Sequence, residues 1–198
     1  MTENAVNNAV NNAGIHRIVG PTILLGSGTY FDFESPETSE LTIEDVAYGL
    51  AFACRFAGQC VSRVTGQRVF YSVAEHCVRM TWIVPEELAY DALMHELGEA
   101  TCGDTTGPLK SICPEYKAVE KRCEAAAYRR FGVQMSDPAA IKRADLVMLA
   151  TEKRDLMPCR DEVWPLCEGV QPSKYPIVPW SPDAAAGAFL RQYKELRP

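Results

Sequence analysis

The sequence predicts an all-α fold, a compact multi-helix bundle with a short extended or hairpin piece near its N-terminus. Three observations predict it. Apolar residues recur at spacings of three and four in most segments after residue 42. Helix-start signals such as Thr42…Asp45, Ser72…Glu75 and Ser181-Pro182 stand in front of those stripes. Short extended runs flanking a Gly-Ser-Gly turn occur only early, at Thr22–Leu25 and Tyr30–Phe33.

Taken in order, residues 1–14 are Asn- and Ala-rich with a four-residue echo and are expected to form a mobile tail, leaving 15–198 as a single domain. The Ser35–Ser39 segment reads as a loop. Thr42 and Asp45 resemble a capping box, and behind them Ile43, Val46, Ala47, Leu50, Ala51 and Cys54 form a helical stripe. Residues 57–70 read as a loop. Ser72 to Glu75 forms a second capping box, opening a helix with Val73, Cys77, Met80 and Val84 on one face. Pro85 fits the first position of a third helix, which carries Glu86 and Glu87 in its first turn and continues to Gly103. A fourth runs from Pro114 to Phe131 and stops at Gly132. Ser136 or Asp137 caps a fifth that ends near Met157. The proline-rich stretch 158–180 is a long loop, and Ser181-Pro182 starts a last helix carrying Leu190 and Tyr193.

The chain has 198 residues, 47% hydrophobic and 23% charged, with a formal net charge of −6. That balance argues against a protein that wraps a nucleic-acid polymer. No apolar run is long enough for a membrane span, and the first residues do not form a secretory signal. The 8 cysteines lack a C-x-x-C spacing and read as reduced thiols of a cytoplasmic protein.

The third helix carries the chemistry. Leu88, Ala92, His95, Glu96 and Glu99 share a face whose apolar members point it inward. Buried carboxylates are costly unless paired or bound to a cation. His76 lies on the inner stripe of the second helix. Asp145 is the polar member of the fifth-helix stripe Ile141, Ala144, Asp145, Met148 and Leu149. Three helices thus offer inward metal-competent groups, and mixed N and O donors suit Zn, Mn, Co or Fe better than a pure Mg cage. A bland reading stands beside each: a hydrogen-bonded core histidine for His76, and pairing with Lys142 or Arg143 for Asp145. Glu152 and Asp155 are expected in structural ion pairs with arginines. The H-E-x-x-H zinc-protease motif fails because position 99 is Glu, and no G-x-x-x-x-G-K-[ST] phosphate loop exists.

The order His76, His95-Glu96, Asp145 on successive helices resembles the HD-domain metal-dependent phosphohydrolases, in particular the small bacterial and phage branch acting on nucleotides. The stretches GTYFDF, IEDVAYGLAFACRFAG, FYSVAEHC, ALMHELGEATCGDTTGPLK, ADLVMLATEKRDLM and PIVPW carry the resemblance, over roughly residues 20–197. It implies hydrolysis of a 5′-phosphate or triphosphate from a deoxynucleotide, with a purine such as dATP or dAMP as substrate. It also implies a divalent transition metal at His76, His95, Glu96 and Asp145, with Mg as a possible second ion, and a homo-oligomer. Glu99 and Asp104 would steer the attacking water and protonate the leaving oxygen. Arg55 would hold a phosphate or sugar, Phe56 would pack on the sugar or base, and Lys110 would neutralise phosphate. From the residues alone, Phe56 also reads as core and Lys110 as a solvated helix-end charge.

Two departures from the family pattern stand out. Position 96 is Glu where Asp is expected, one methylene longer. The stretch Gln59–Val69 is long, and reads as a lid, a substrate-selecting loop or a surface insertion. Two other functions are compatible with parts of the pattern: a non-catalytic metal- and nucleotide-binding regulator, and an HD-type di-iron oxygenase, for which only His16 remains as an extra histidine.

Overall fold

A computed structural model describes residues 9–10, 16–17, 20–158 and 161–198. The expected mobile tail otherwise lies outside the described residues, but within it Ala9–Val10 (β1) pairs antiparallel with His16–Arg17 (β2). A second hairpin joins Thr22–Leu24 (β3) to Tyr30–Asp32 (β4), with Ile23 opposite Phe31. The remaining regular structure is helical: α1 Ile43–Phe52, α2 Val73–Met80, α3 Ala89–Met94, α4 Glu99–Cys102, α5 Gly107–Ile112, α6 Pro114–Phe131, α7 Pro138–Leu156 and α8 Pro182–Leu196. The fold is an all-α bundle, as the stripes predict. No helix among the described residues is long and apolar enough to cross a membrane, and the seven described cysteines are unpaired thiols.

The caps follow the sequence closely. At α1 the Thr42 hydroxyl accepts from the Asp45 N–H while Asp45 accepts from the Thr42 N–H, a full reciprocal box. Asp137, rather than Ser136, caps α7 by accepting from the Ala140 N–H. Ser181 caps α8, and Gly132 ends α6 in the left-handed conformation. The box at Ser72 is only half formed. Ser72 accepts from the Glu75 N–H at 3.1 Å, but the Glu75 carboxylate is taken by Arg79 at 2.7 Å and by the Trp180 N–H at 2.8 Å.

The third helix differs most from expectation. Pro85 sits at an N-cap, not at the first helical position, and a 3₁₀ turn at Glu86–Leu88 leads into α3. The helix then breaks over 95–98 before α4. Backbone bonds there close over three residues, with the Glu99 N–H on the Glu96 carbonyl at 3.0 Å and the Ala100 N–H on the Leu97 carbonyl at 3.3 Å. Side chains cause the tightening by competing for carbonyls. His95 Nδ1 donates to the Ala92 carbonyl at 2.8 Å, and the Tyr128 hydroxyl on α6 donates to the His95 carbonyl at 2.8 Å. Gly98 lets α6 press against this turn: a Cβ there would meet the Glu120 carbonyl at 3.3 Å and the Glu124 Cβ at 3.1 Å. The 3₁₀ turn at Pro36–Thr38 appears where a loop was expected, and the short helix α5 fills a stretch the helical stripes leave unassigned.

Two apolar clusters make the core. One gathers Val46, Leu50, Val73, Cys77, Leu93, Met94, Leu97 and Phe189 between α1, α2, α3 and α8. The other gathers Cys60, Tyr71, Met80, Leu88, Ala92, Met148 and Leu156 toward α7. Helices α2 and α3 serve both, so α2 has no solvent face: every residue from Val73 to Met80 is buried. Its polar groups Glu75, His76 and Arg79 therefore need partners inside the protein, and the seam between the clusters supplies them.

Helix α1 lies tightly against α4. A Cβ on Gly49 would lie 2.4 Å from the Ala100 carbonyl oxygen, and backbone cannot yield as a side-chain tip can. Gly49→Ala is expected to destabilise the fold by about 1–3 kcal/mol, read as a lowered Tm in thermal denaturation.

Candidate metal centre

Four side chains from three parts of the chain converge on the seam: His76 from α2, His95 and Glu96 from the tightened turn after α3, and Asp145 from α7. One donor atom of each lies within 4.8 Å of all the others. His76 Nε2 is 3.3 Å from His95 Nε2 and 3.5 Å from Asp145 Oδ1, and His95 Nε2 is 3.5 Å from Glu96 Oε1. Ligand bonds of about 2.0–2.2 Å place neighbouring donors about 3.0–3.5 Å apart, so these separations fit a single divalent ion.

The proton positions support the same fit. His76 Nδ1 is 2.6 Å from Glu152 Oε1, and Glu152 is held ionised, its pKa lowered below the usual range: burial pushes it up, but the Arg55 and His76 interactions outweigh that. A carboxylate only accepts, so His76 Nδ1 carries the proton. His95 Nδ1 likewise donates to the Ala92 carbonyl, and burial lowers the pKa of His95. With each Nδ1 committed as a donor, the two Nε2 atoms are the ring nitrogens left to ligate a metal, and they lie 3.3 Å apart. Two ring nitrogens at this spacing, with two carboxylates beside them, form a donor set that could hold a metal ion.

The carboxylates complete the set. Burial pushes Asp145 up, yet His76, His95, Arg55 and the Lys142 hydrogen bond bring it well below the ordinary carboxylate range. Its other oxygen accepts from Lys142 Nζ at 2.7 Å, so the bland pairing and the cluster membership coexist. Burial raises Glu96, opposed by Arg55 and His76. The longer Glu96 side chain still reaches the cluster, as its 3.5 Å approach to His95 Nε2 shows.

The other expected site residues surround this centre. Arg55 is buried; its Nη2 donates to Glu152 Oε2 at 3.0 Å, and its Nε has no partner among the described residues. The guanidinium feels the charges of Glu152 first, then Glu96 and Asp145, which raise its pKa against burial. Phe56 is half-buried against Trp164, ring centroids 6.2 Å apart. Phe56 and Ala57 hold left-handed backbone at φ 55° and 51°, an uncommon and strained state for residues other than glycine.

Glu99 is 5% exposed, and its Oε1 accepts from Lys110 Nζ at 2.8 Å. Lys110 also reaches Glu120 at 2.7 Å, so the phosphate-neutralising role expected of it meets an ammonium already engaged twice. Burial, then the charges of Glu96 and Asp104, push Glu99 up to about 9 against the pull of Lys110. Near neutral pH it is thus protonated, with Glu120 the counter-charge of Lys110. Its Oε2 is buried without a hydrogen-bond partner. Asp104 follows in the loop after Gly103. The Gln59–Val69 stretch is pinned to the end of α7: the Val61 N–H donates to the Leu156 carbonyl at 2.7 Å and the Arg63 N–H to the Asp155 carbonyl at 2.9 Å.

Glu152 is the residue whose importance the sequence pattern understates. Pairing with an arginine is as expected, but its contact with His76 makes it the group that orients a ligand. Its signal is its place seven residues, two turns, after Asp145 on the same face of α7. Asp155 pairs with neighbouring Arg154 at 2.7 Å.

Fold and site together define a class: an all-α bundle with a partly buried two-histidine, two-carboxylate centre compatible with a divalent metal. No protein-family model matches the chain. It belongs to the family of the uncharacterized protein YfdR of Escherichia coli K12, being 36% identical to it over 171 residues, 86% of this chain and 92% of that protein. It is also 36% identical over 126 residues to the uncharacterized protein RCAP_rcc00048 of Rhodobacter capsulatus, covering 60% of this chain and 62% of that protein.

Two outcomes follow. Saturating Mn²⁺, Co²⁺ or Zn²⁺ is expected to raise the Tm of the chelator-stripped protein, with about 2.7 kcal/mol of stabilisation at one hundred times Kd; His95→Ala should abolish the rise. The second concerns Glu99 in the metal-free protein. Its folded pKa of about 9 exceeds the ordinary 4.5. Between these values the unfolded chain has lost the proton while the folded one keeps it, so stability falls as pH rises through that window. Glu99→Gln removes the loss, and its Tm should gain on the parent's steadily from about pH 5 to pH 9.

Proposed function

We propose that the protein is a metal-dependent phosphohydrolase of the HD type, removing the 5′-phosphate or triphosphate from a deoxynucleotide. A purine deoxynucleotide such as dAMP or dATP is the substrate that the sequence resemblance favours. The observation that carries the reading is the convergence of His76 Nε2 and His95 Nε2, 3.3 Å apart, beside Glu96 and Asp145. This N and O donor set favours Zn, Mn, Co or Fe, with Mg as a candidate second ion. A divalent ion bound there supplies positive charge to a phosphoryl oxygen and lowers the pKa of a water it holds.

The surrounding residues have the chemistry such a reaction needs. Glu99 has a buried oxygen without a hydrogen-bond partner and, when protonated, would give its proton to the leaving 5′-oxygen. Asp104 would take the proton of the attacking water. Arg55, fixed by Glu152, would offer its uncommitted N–H to a phosphate oxygen. Lys110 adds positive charge beside Glu99, and Phe56 offers a ring to the sugar or base. The pairing of Arg55 with Glu152 and of Lys110 with Glu99 and Glu120 favours a second reading, a regulator that binds metal and nucleotide without turnover.

The test is a panel of dNTPs, dNMPs and ribonucleotides with Mn²⁺, Co²⁺, Mg²⁺ or Zn²⁺, with products separated by chromatography. The expected result is nucleoside plus phosphate or triphosphate, abolished by His95→Ala. Glu99→Gln should lower kcat by about 10²–10⁴-fold with little change in metal affinity. Nucleotide bound with no product on any member would replace the hydrolase by the regulator.

A further inference from the structure

The buried chain Arg55–Glu152–His76 joins the candidate cation site to the one arginine expected to hold an anion. Glu152 is fully buried and divides its two oxygens: Oε1 lies 2.6 Å from His76 Nδ1, and Oε2 accepts from Arg55 Nη2 at 3.0 Å. The three residues come from a 3₁₀ turn after α1, from α2 and from α7, separated by up to 97 positions, so no local structure forces the arrangement. Arg55 keeps donors in reserve, since its Nε is buried without a partner. It also feels the charges of Glu96 and Asp145, two of the candidate ligands. One carboxylate therefore fixes both a metal-facing imidazole and an anion-facing guanidinium.

We propose that Glu152 is a positioning residue that makes cation capture and oxyanion capture one cooperative event. By accepting from His76 Nδ1–H it aims the Nε2 lone pair at the cation, and by holding Arg55 it presents the remaining guanidinium N–H to an oxyanion beside that cation. Each ligand then binds to a site the other has helped to order, and linkage makes the gain reciprocal. The choice of phosphate as the anion rests on the phosphohydrolase reading; the coupling itself is measured without turnover.

Mn²⁺ binding to the full chain is titrated by the loss of the free-ion electron paramagnetic resonance signal, with and without inorganic phosphate, against a protein-free control. In the wild type phosphate is expected to tighten Mn²⁺ binding by about 5–150-fold. Glu152→Gln keeps the size and the acceptor for His76 but loses the charge that holds Arg55; Mn²⁺ affinity should fall about 10–100-fold and the phosphate effect should vanish. Arg55→Met should lose the phosphate effect while Mn²⁺ affinity without phosphate changes less than the Glu152→Gln affinity does. Circular dichroism checks that each variant is folded; if Glu152→Gln is not, the wild-type and Arg55→Met titrations decide. Absence of a phosphate effect in the wild type, or its persistence in either folded variant, overturns the proposal. Mn²⁺ and phosphate coupling without nucleotide turnover would sink the hydrolase reading and leave this one standing.

Discussion

Two imidazoles aimed at each other through their Nε2 atoms constitute the constraint on which this structure turns. At 3.3 Å the two nitrogens stand at ligand spacing, and each ring is fixed through its Nδ1, one by Glu152 and one by the Ala92 carbonyl. Two carboxylates gathered this closely and largely out of water need positive charge to offset them. The surrounding design answers that need. Two carboxylates close the set, an arginine offsets the excess negative charge behind it, and a fully buried helix holds one imidazole in place.

The break between α3 and α4 belongs to the same design. A continuous helix would present His95, Glu96 and Glu99 along a stripe. Tightening to three residues per turn stacks Glu96 over Glu99, and the repulsion adds to burial in keeping Glu99 protonated. The sequence shows the inward face but not the break, because the cause is remote: Tyr128 and the Gly98 approach both come from packing against α6. Helix pattern is local information, and a carbonyl captured by a residue more than thirty positions away is not.

Elsewhere legibility follows the same division. The caps at Thr42, Asp137 and Ser181 were readable because a cap is a contact across three residues. The capping function of Ser72 was readable, the fate of Glu75 was not, since Arg79 and the distant Trp180 N–H claim its carboxylate. His76, His95, Glu96 and Asp145 stood out as polar residues on apolar stripes, and the helices bring them together. Arg55 carried no such mark. Its burial against Glu152 depends on where the 3₁₀ turn and α7 meet, which periodicity does not encode.

The stretch between Arg55 and α2 has a further consequence for how the protein tolerates change. Its base is clamped by a bridge between Val61 and Arg68 and by backbone bonds to the end of α7, while Val64 at its tip is 87% exposed. A clamped base separates the length of the tip from the position of everything beneath it, and lengthening a loop costs little, about 0.6 kcal/mol per doubling. The tip around Thr65-Gly66 is thus a natural insertion point. An epitope, a fluorophore-bearing peptide or an affinity handle grafted there would extend into solvent and leave Arg55 and α7 in register.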